Sequence, residues 1–441
     1  MDDDHSKNER LESEAGKPKK RDFLSVFFAL VDQGFVSLNN FVTFILVAKF
    51  GSRSDVNLYV LAWSIVNVLR VIQERGLAAP YFVFANEPDR DQRSFLGSSL
   101  VHQFAFSIIS AAIFCLLALI FQAKVTPIGM VGCCLILAVS VPAILLRDHL
   151  RAICCAHSRY ELAMALSCVA MALQIAIIYW AYTTGRMNVV VVFAAMGVSS
   201  LVPGLIWLLV QPQPLRFESS RYWSDWNATS EYSKWLVTAR IFPSVAMGLV
   251  PWMVAWIIDE NAAGTWGACI TLANISNMFV FGANYFFMPK TVRALHQRGY
   301  SGMYQVLTLT AIAFTIVLSG LSLFYFVLGD FVLEIAFAKS FSGNATLAAV
   351  IGLSYLIVSY STIAGNGMTA IGKPEGLFWG ELAYGVATII GVWVLCAQFG
   401  LIGAAIGMCL SAVAATVVES VFLFRLTRHE NQLQIDQSDQ D

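Results

Sequence analysis

Asp32, Gln33, Asn39 and Asn40 lie inside an apolar run, Phe23 to Gly51, that is long enough to cross a bilayer. A carboxylate at the centre of such a span costs roughly 2.5–3.5 kcal/mol on insertion scales, so it faces a partner or a water-filled cavity rather than lipid. Three cations share that predicament. Arg70 falls about 21 Å from the outer end of a second apolar run, and Arg240 about 14 Å from the inner end of a seventh, at 1.5 Å per residue. Both are too deep to reach the headgroups comfortably, whereas Arg75 is closer to the inner rim. Arginine presents a planar fork suited to phosphate oxygens, and a membrane carboxylate can pair with a cation or exchange a proton or sodium.

Spacing groups these residues. Trp63, Asn67, Arg70 and Glu74 recur at i, i+4, i+7 and i+11, which lines one helical face with polar groups through the membrane. Asn274, Asn277, Phe281 and Asn284 do the same on the eighth run, and Asp32 and Asn39 stand seven apart on the first. Two readings follow. The polar groups glue helices together, Arg70 with Glu74 and Asp32 with Arg240, since interhelical amides and ion pairs hold membrane bundles. Alternatively they line a central hydrophilic cavity, the reading that the depth of the arginines favours.

The elements that must position them are transmembrane helices. The 441 residues are 57% hydrophobic and 13% charged, with a mean hydropathy of +0.66. A soluble domain carries roughly 25% charged residues. Apolar runs of spanning length fall at 22–50, 56–84, 95–121, 125–146, 161–183 and 188–210, then at 231–257, 262–288, 303–328, 345–370, 377–398 and 401–425. This predicts an all-α polytopic protein of twelve helices in two six-helix lobes, residues 22–210 and 231–425. A polar linker at 211–230, anchored by Trp223 and Trp226, joins the lobes. Residues 1–21 are expected to form a disordered cytoplasmic tail and residues 426–441 a second cytoplasmic tail.

With both termini inside, 20 of the 28 Lys and Arg lie in cytoplasmic segments and 5 outside, as the positive-inside rule requires. The halves also repeat. Pro80 in AAPYFVF and Pro289 in FFMPK share an offset of 209, which also overlays Gly51 on Glu260 and Leu58 on Gly267. Such repeats mark transporters whose site lies near midplane between them.

Other classes fit less well. With 28 Lys+Arg against 29 Asp+Glu there is no charge excess for nucleic acid. Nine cysteines, two adjacent pairs among them, show no CxxC or Cys/His spacing and read as small apolar residues. No Walker motif, metal-ligand cluster or catalytic constellation occurs, so neither a cofactor nor an enzyme activity is expected. GLIGAAIG, Gly400 to Gly407, has the small-xxx-small spacing of close helix packing. Glu381 and Glu419, near the inner ends of their runs, are expected at the rim or as partners of loop cations.

The first-helix run DQGFVSLNNFVTFILVAKFGS, the segments Leu58 to Ala62 and Gly76 to Val83, and the stretch from Ala364 through GKPEG to FGLIGAAIG resemble bacterial polysaccharide-biosynthesis flippases. These belong to the multidrug/oligosaccharidyl-lipid/polysaccharide (MOP) exporter superfamily. The resemblance implies two lobes around a V-shaped cavity in the bacterial plasma membrane. It further implies alternating-access translocation of an undecaprenyl-pyrophosphate-linked oligosaccharide, with membrane lipids and a polysaccharide polymerase or ligase as partners. Arg70 and Arg240, with Arg75 nearer the rim, would hold the pyrophosphate. Asp32, Gln33, Asn39, Asn67, Glu74, Asn274 and Asn277 would line the cavity or couple transport to a proton or sodium gradient or to the membrane potential. A drug/cation antiporter of the same superfamily and a non-transporting scaffold are the competing readings.

Overall fold

The computed structural model of the chain describes residues 20–85, 87, 90–123, 129–210, 216, 218–373 and 375–438. The predicted N-terminal tail falls almost wholly outside them. Among the described residues the chain is helical throughout: α1 (Lys20–Phe50), α2 (Arg53–Gln73), α3 (Ala79–Phe84), α4 (Gln92–Ala123), α5 (Met130–Ala156), α6 (Tyr160–Thr183), α7 (Val189–Val210), α8 (Ser219–Ile257), α9 (Glu260–Ala336), α10 (Ala345–Ile371) and α11 (Glu375–Ser438). Counting α2 and α3 as one run, ten helices are long and apolar enough to cross a membrane, as in a multi-pass protein of the cell membrane.

Two of the ten are hairpins. Gly299 (φ 65°) and Gly400 (φ 62°) take left-handed backbone, a conformation glycine adopts without steric penalty, and each breaks its helix. The chain folds back at both points. Phe279 and Phe314, on opposite arms of α9, have ring centroids 5.9 Å apart. In α11 a Cβ on Gly407 would lie 2.7 Å from the Val392 backbone nitrogen, so the GLIGAAIG arm packs backbone to backbone on its partner.

The second run also has a local device. Residues Glu74–Ala78 form a π turn between α2 and α3, just ahead of Pro80. Proline supplies no N–H to the ladder and crowds the carbonyl four residues back, and a widened turn relieves both.

Several predicted boundaries move. The fourth helix runs to Ala156 rather than 146, because Arg147, Asp148 and Arg151 compensate one another and do not end it. Arg147 and Arg151 are therefore span residues, not cytoplasmic loop cations. The linker is shorter than 211–230: α8 begins at Ser219, and its Tyr222 and Trp226 pack against His102 of α4, with centroids 4.8 and 5.0 Å apart. At the other end α11 continues to Ser438, so the predicted tail from 426 is largely helical.

Helices α1–α7 pack mainly on one another and α8–α11 on one another, and the two sets meet chiefly where α2 lies against α8 and α9. That crossing is tight near the α1–α2 and α8–α9 turns. A Cβ on Gly267 would overlap a Val60 methyl, and one on Gly264 would overlap Asn57 Oδ1. Arg53 closes the same end. It donates to Thr265 Oγ1 (2.5 Å), to the Asn261 carbonyl (3.3 Å) and to the Ser340 carbonyl (3.1 Å). Phe44 meets Phe337 edge-on at 5.2 Å alongside.

Candidate functional site

Away from that closed end, the predicted polar residues separate into an interlocked network in the N-terminal half and a looser set in the C-terminal half. The network is centred on α5. Arg147 and Asp148 are adjacent and Arg151 follows at i+4, which places all three toward the bundle interior. Asp148 accepts from Arg147 Nη2 at 2.9 Å and from Arg70 Nε at 2.9 Å, and Arg151 Nη1 stands 4.0 Å away. Arg151 also holds Asp32 with both arms of its fork, Nη2 to Oδ2 at 2.5 Å and Nε to Oδ1 at 3.2 Å. Ser167 of α6 donates to Asp32 Oδ1 at 2.5 Å. Asp32 is 3% exposed, so its charge is matched inside the half to which it belongs.

Both pairings of the helix-glue reading are thereby overturned. Arg70 does not pair with Glu74, because Asp148 offers it a buried carboxylate and attraction grows as water is excluded. Glu74 is exposed and turns to Arg75 at 3.6 Å. Asp32 does not reach Arg240, which instead bonds Glu381 of α11.

The network holds three cations and two carboxylates, so it is net positive. Only Nε of Arg70 is engaged by Asp148, which leaves the terminal nitrogens of its half-buried guanidinium for other acceptors. Trp63, about two turns back on the same face, lies under it at 5.9 Å. Asn67 and Glu74 are exposed on that face.

Asn39 is different. It is buried, donates to Gln174 Oε1 at 3.1 Å, and belongs to a packed cluster with Thr43 and Ser199 joining α1, α6 and α7. Gln33 is exposed on α1. In the C-terminal half Asn274 is exposed and accepts from the Tyr355 hydroxyl at 2.6 Å, Asn277 is half-buried, and Asn284 joins Asn366 at 2.5 Å. Among the described residues no group of three or more His, Cys, Asp or Glu side chains could hold a metal ion.

Sequence reasoning missed Arg147, Asp148 and Arg151 as members of the network that joins Arg70 to Asp32, and Glu381 as the partner of Arg240. A signal for the first three existed: RDHLR places cation, anion and cation at i, i+1 and i+4, a self-compensating face that can stay helical inside a membrane.

No family model and no curated protein matches the chain. Solved structures do. A multidrug resistance MATE family transporter of the MOP superfamily in an inward-facing conformation matches with a TM-score of 0.77 at 13% identity, over 92% of this chain and 99% of that one. The outward-facing conformation of such a transporter matches at 0.64 and 15% identity, over 95% and 97%. A MOP superfamily transporter from Pyrococcus furiosus, described as having a binding pocket of reversed polarity, matches at 0.63 and 14% identity, over 94% and 96%. Likeness at these identities is likeness of fold, and the chain has the fold of the MATE family transporters of the MOP superfamily.

Proposed function

We propose that the protein is a membrane transporter that flips an undecaprenyl-pyrophosphate-linked oligosaccharide from the inner to the outer leaflet by alternating access, for surface polysaccharide biosynthesis. The observation that carries this reading is the net-positive Arg70–Asp148–Arg147–Arg151–Asp32 network, with the free arms of Arg70 beside the exposed stripe of α2. Phosphate oxygens accept from such arms, and a lipid-linked pyrophosphate brings them into the membrane. Arg240 and Arg75, each engaged through one terminal nitrogen with a carboxylate, extend the positive surface across to the second half.

In this reading each hairpin contributes two spans, which gives twelve crossings in two six-helix lobes with both termini in the cytoplasm. The Arg53 seam then closes the outer side, so the cavity opens inward. The higher TM-score to an inward-facing transporter than to an outward-facing one supports that orientation.

The fold also suits a drug/cation antiporter, since its solved examples include a multidrug resistance transporter. The sign of the buried charge argues against a cationic cargo.

Arg70→Ala and Arg240→Ala are expected to abolish surface-glycan complementation at unchanged protein level, and full export in both variants would overturn the reading. Drug efflux that depends on a proton or sodium gradient and survives both substitutions would favour the antiporter. Labelling of introduced cysteines tests the topology: position 340 should react from outside and position 297 only from inside.

A further inference from the structure

The second half carries a line of uncharged hydrogen-bonding side chains that the phosphate assignment leaves unused. Asn274 of α9 is exposed, and half-buried Tyr355 of α10 donates to its Oδ1 at 2.6 Å. Tyr384, on the first arm of α11, is half-buried too and donates to the Met247 thioether of α8 at 3.3 Å. It lies within electrostatic reach of both Tyr355 and Arg240, so the three are neighbours. Four helices thus converge on one strip that starts at Arg240 and ends at Asn274.

The helical rise gives the strip its direction. Asn274 stands nine residues past Thr265 of the closed seam, about 14 Å below it. Arg240 stands seventeen residues from Ile257 at the same end of α8, about 26 Å below. From the level of Arg240 the strip therefore climbs about 12 Å toward the closed end.

Its bonding capacity suits hydroxyl groups. The Asn274 amide nitrogen has two N–H donors with no acceptor among the described residues, and the oxygens of Tyr355 and Tyr384 have given their protons but keep lone pairs. None of the three side chains carries a charge, and the phenol rings add flat apolar faces. A sugar ring offers the complement, hydroxyls that both donate and accept around a face of C–H bonds. An acyl chain laid here would leave the amide and phenol groups unsatisfied.

We propose that Tyr384, Tyr355 and Asn274 form the sugar subsite of the transporter and bind the glycan units next to the pyrophosphate through their hydroxyls. The inference rests on the flippase reading and deepens it. A glycan joined directly to a pyrophosphate must begin beside the phosphates, and the strip begins beside Arg240. The arginines then hold the part that all such substrates share, while the neutral strip reads the part that differs. A site that hydrogen-bonds substrate hydroxyls rejects the analogue that lacks them, so discrimination among glycans falls to this strip.

Affinities of the purified full chain in lipid nanodiscs for two pairs of lipids read the subsite. One pair is undecaprenyl pyrophosphate with and without a single N-acetylglucosamine; the other is undecaprenyl N-acetylglucosaminide beside undecaprenol. In the wild type the sugar should tighten binding by about tenfold or more within each pair. Y355F and N274A should each cut that ratio several-fold and leave the affinity for the sugar-free lipids unchanged. Should either variant melt early, Y384F takes its place with the same expectation. A ratio near one in the wild type, a ratio that the substitutions leave intact, or an equal loss for sugar-bearing and sugar-free lipids would overturn the subsite. So would displacement of the glycolipids by tetraphenylphosphonium, which would give the phenol rings to a lipophilic cation. The phosphate-free pair separates this result from the arginine assignment. Arg70→Ala should leave its ratio unaltered, and a sugar ratio that persists there while pyrophosphate adds nothing to binding would sink the phosphate reading alone.

Discussion

The two halves of the molecule handle buried charge in opposite ways. In the N-terminal half the carboxylates of Asp32 and Asp148 are each gripped by arginine, and the chain Asp32–Arg151–Asp148–Arg70 ties α1, α5 and α2 together. In the C-terminal half the charges stand in isolated groups, Arg240 with Glu381 and Glu419 with a serine. An interlocked network has one low-energy arrangement and resists motion, whereas separate groups can exchange partners at small expense. The first half is therefore tied together by its charges, whereas the charged groups of the second can exchange partners separately.

The contrast can be broken from the first half. Asp148→Asn leaves three arginines facing each other without their shared anion, and removing one partner of a buried pair destabilises by about 3–5 kcal/mol. A thermal melt in detergent should show a larger loss for this substitution than for any other in the molecule's polar network or its seam. Asp32→Asn keeps the Ser167 contact but loses the charged fork to Arg151, for a loss of about 2 kcal/mol by the same melt. Equal melting of either variant and wild type would show that the network does not hold the half together.

The seam between halves comes next. Gly267→Val forces a side chain into Val60, and overpacking of this kind destabilises by about 1–3 kcal/mol. Because the strain exists only while the seam is shut, adding this substitution to a Thr265→Cys variant, whose introduced thiol is buried under Arg53, should make that thiol more reactive toward a membrane-impermeant reagent at fixed pH than it is in Thr265→Cys alone. Reactivity unchanged or lowered would mean that the seam does not open.

Glu381→Gln sharpens the contrast from the other side. Arg240 has a side-chain exposure of 38%, so solvent screens the pair and the loss should be no more than about 1 kcal/mol. A loss as large as that of Asp148→Asn would erase the difference between the halves.

The smallest effect lies just beyond the end of α5. His157 Nε2 is 2.9 Å from the Tyr81 hydroxyl, and burial, with Arg159 adding to it, lowers the ring's pKa below its ordinary value. A group held neutral in the fold contributes stability above its unfolded pKa of about 6.5, and loses it as pH falls below that. Melting should fall slightly between about pH 7 and pH 5, and His157→Gln should flatten that part of the profile.

Much of this was legible in the chain. Apolar run lengths located the spans, and the spacing of Trp63 and Arg70 put ring and guanidinium together on α2, because periodicity survives folding. The pairings were not legible. Depth alone matched Asp32 to Arg240, but a residue at the right depth can face its own bundle, and Asp32 faces α5 and α6. Arg147 and Arg151 resemble loop cations because a run of charges ordinarily ends a span, and only the packing against Arg70 and Asp32 reveals why it does not in α5. Glu419 was hidden for the opposite reason: nothing in its neighbours along the chain foretells that Gly380 would receive it.

The most direct measurement is the affinity of the purified protein in nanodiscs for undecaprenyl pyrophosphate, set beside the same lipid without its phosphates, in wild type and Arg70→Ala. The expected result is preference for the pyrophosphate in the wild type and a loss of about tenfold or more in the variant, equivalent to about 1.4 kcal/mol. Equal binding of the two lipids, or equal affinity in wild type and Arg70→Ala, would contradict the assignment of the arginine network to phosphate.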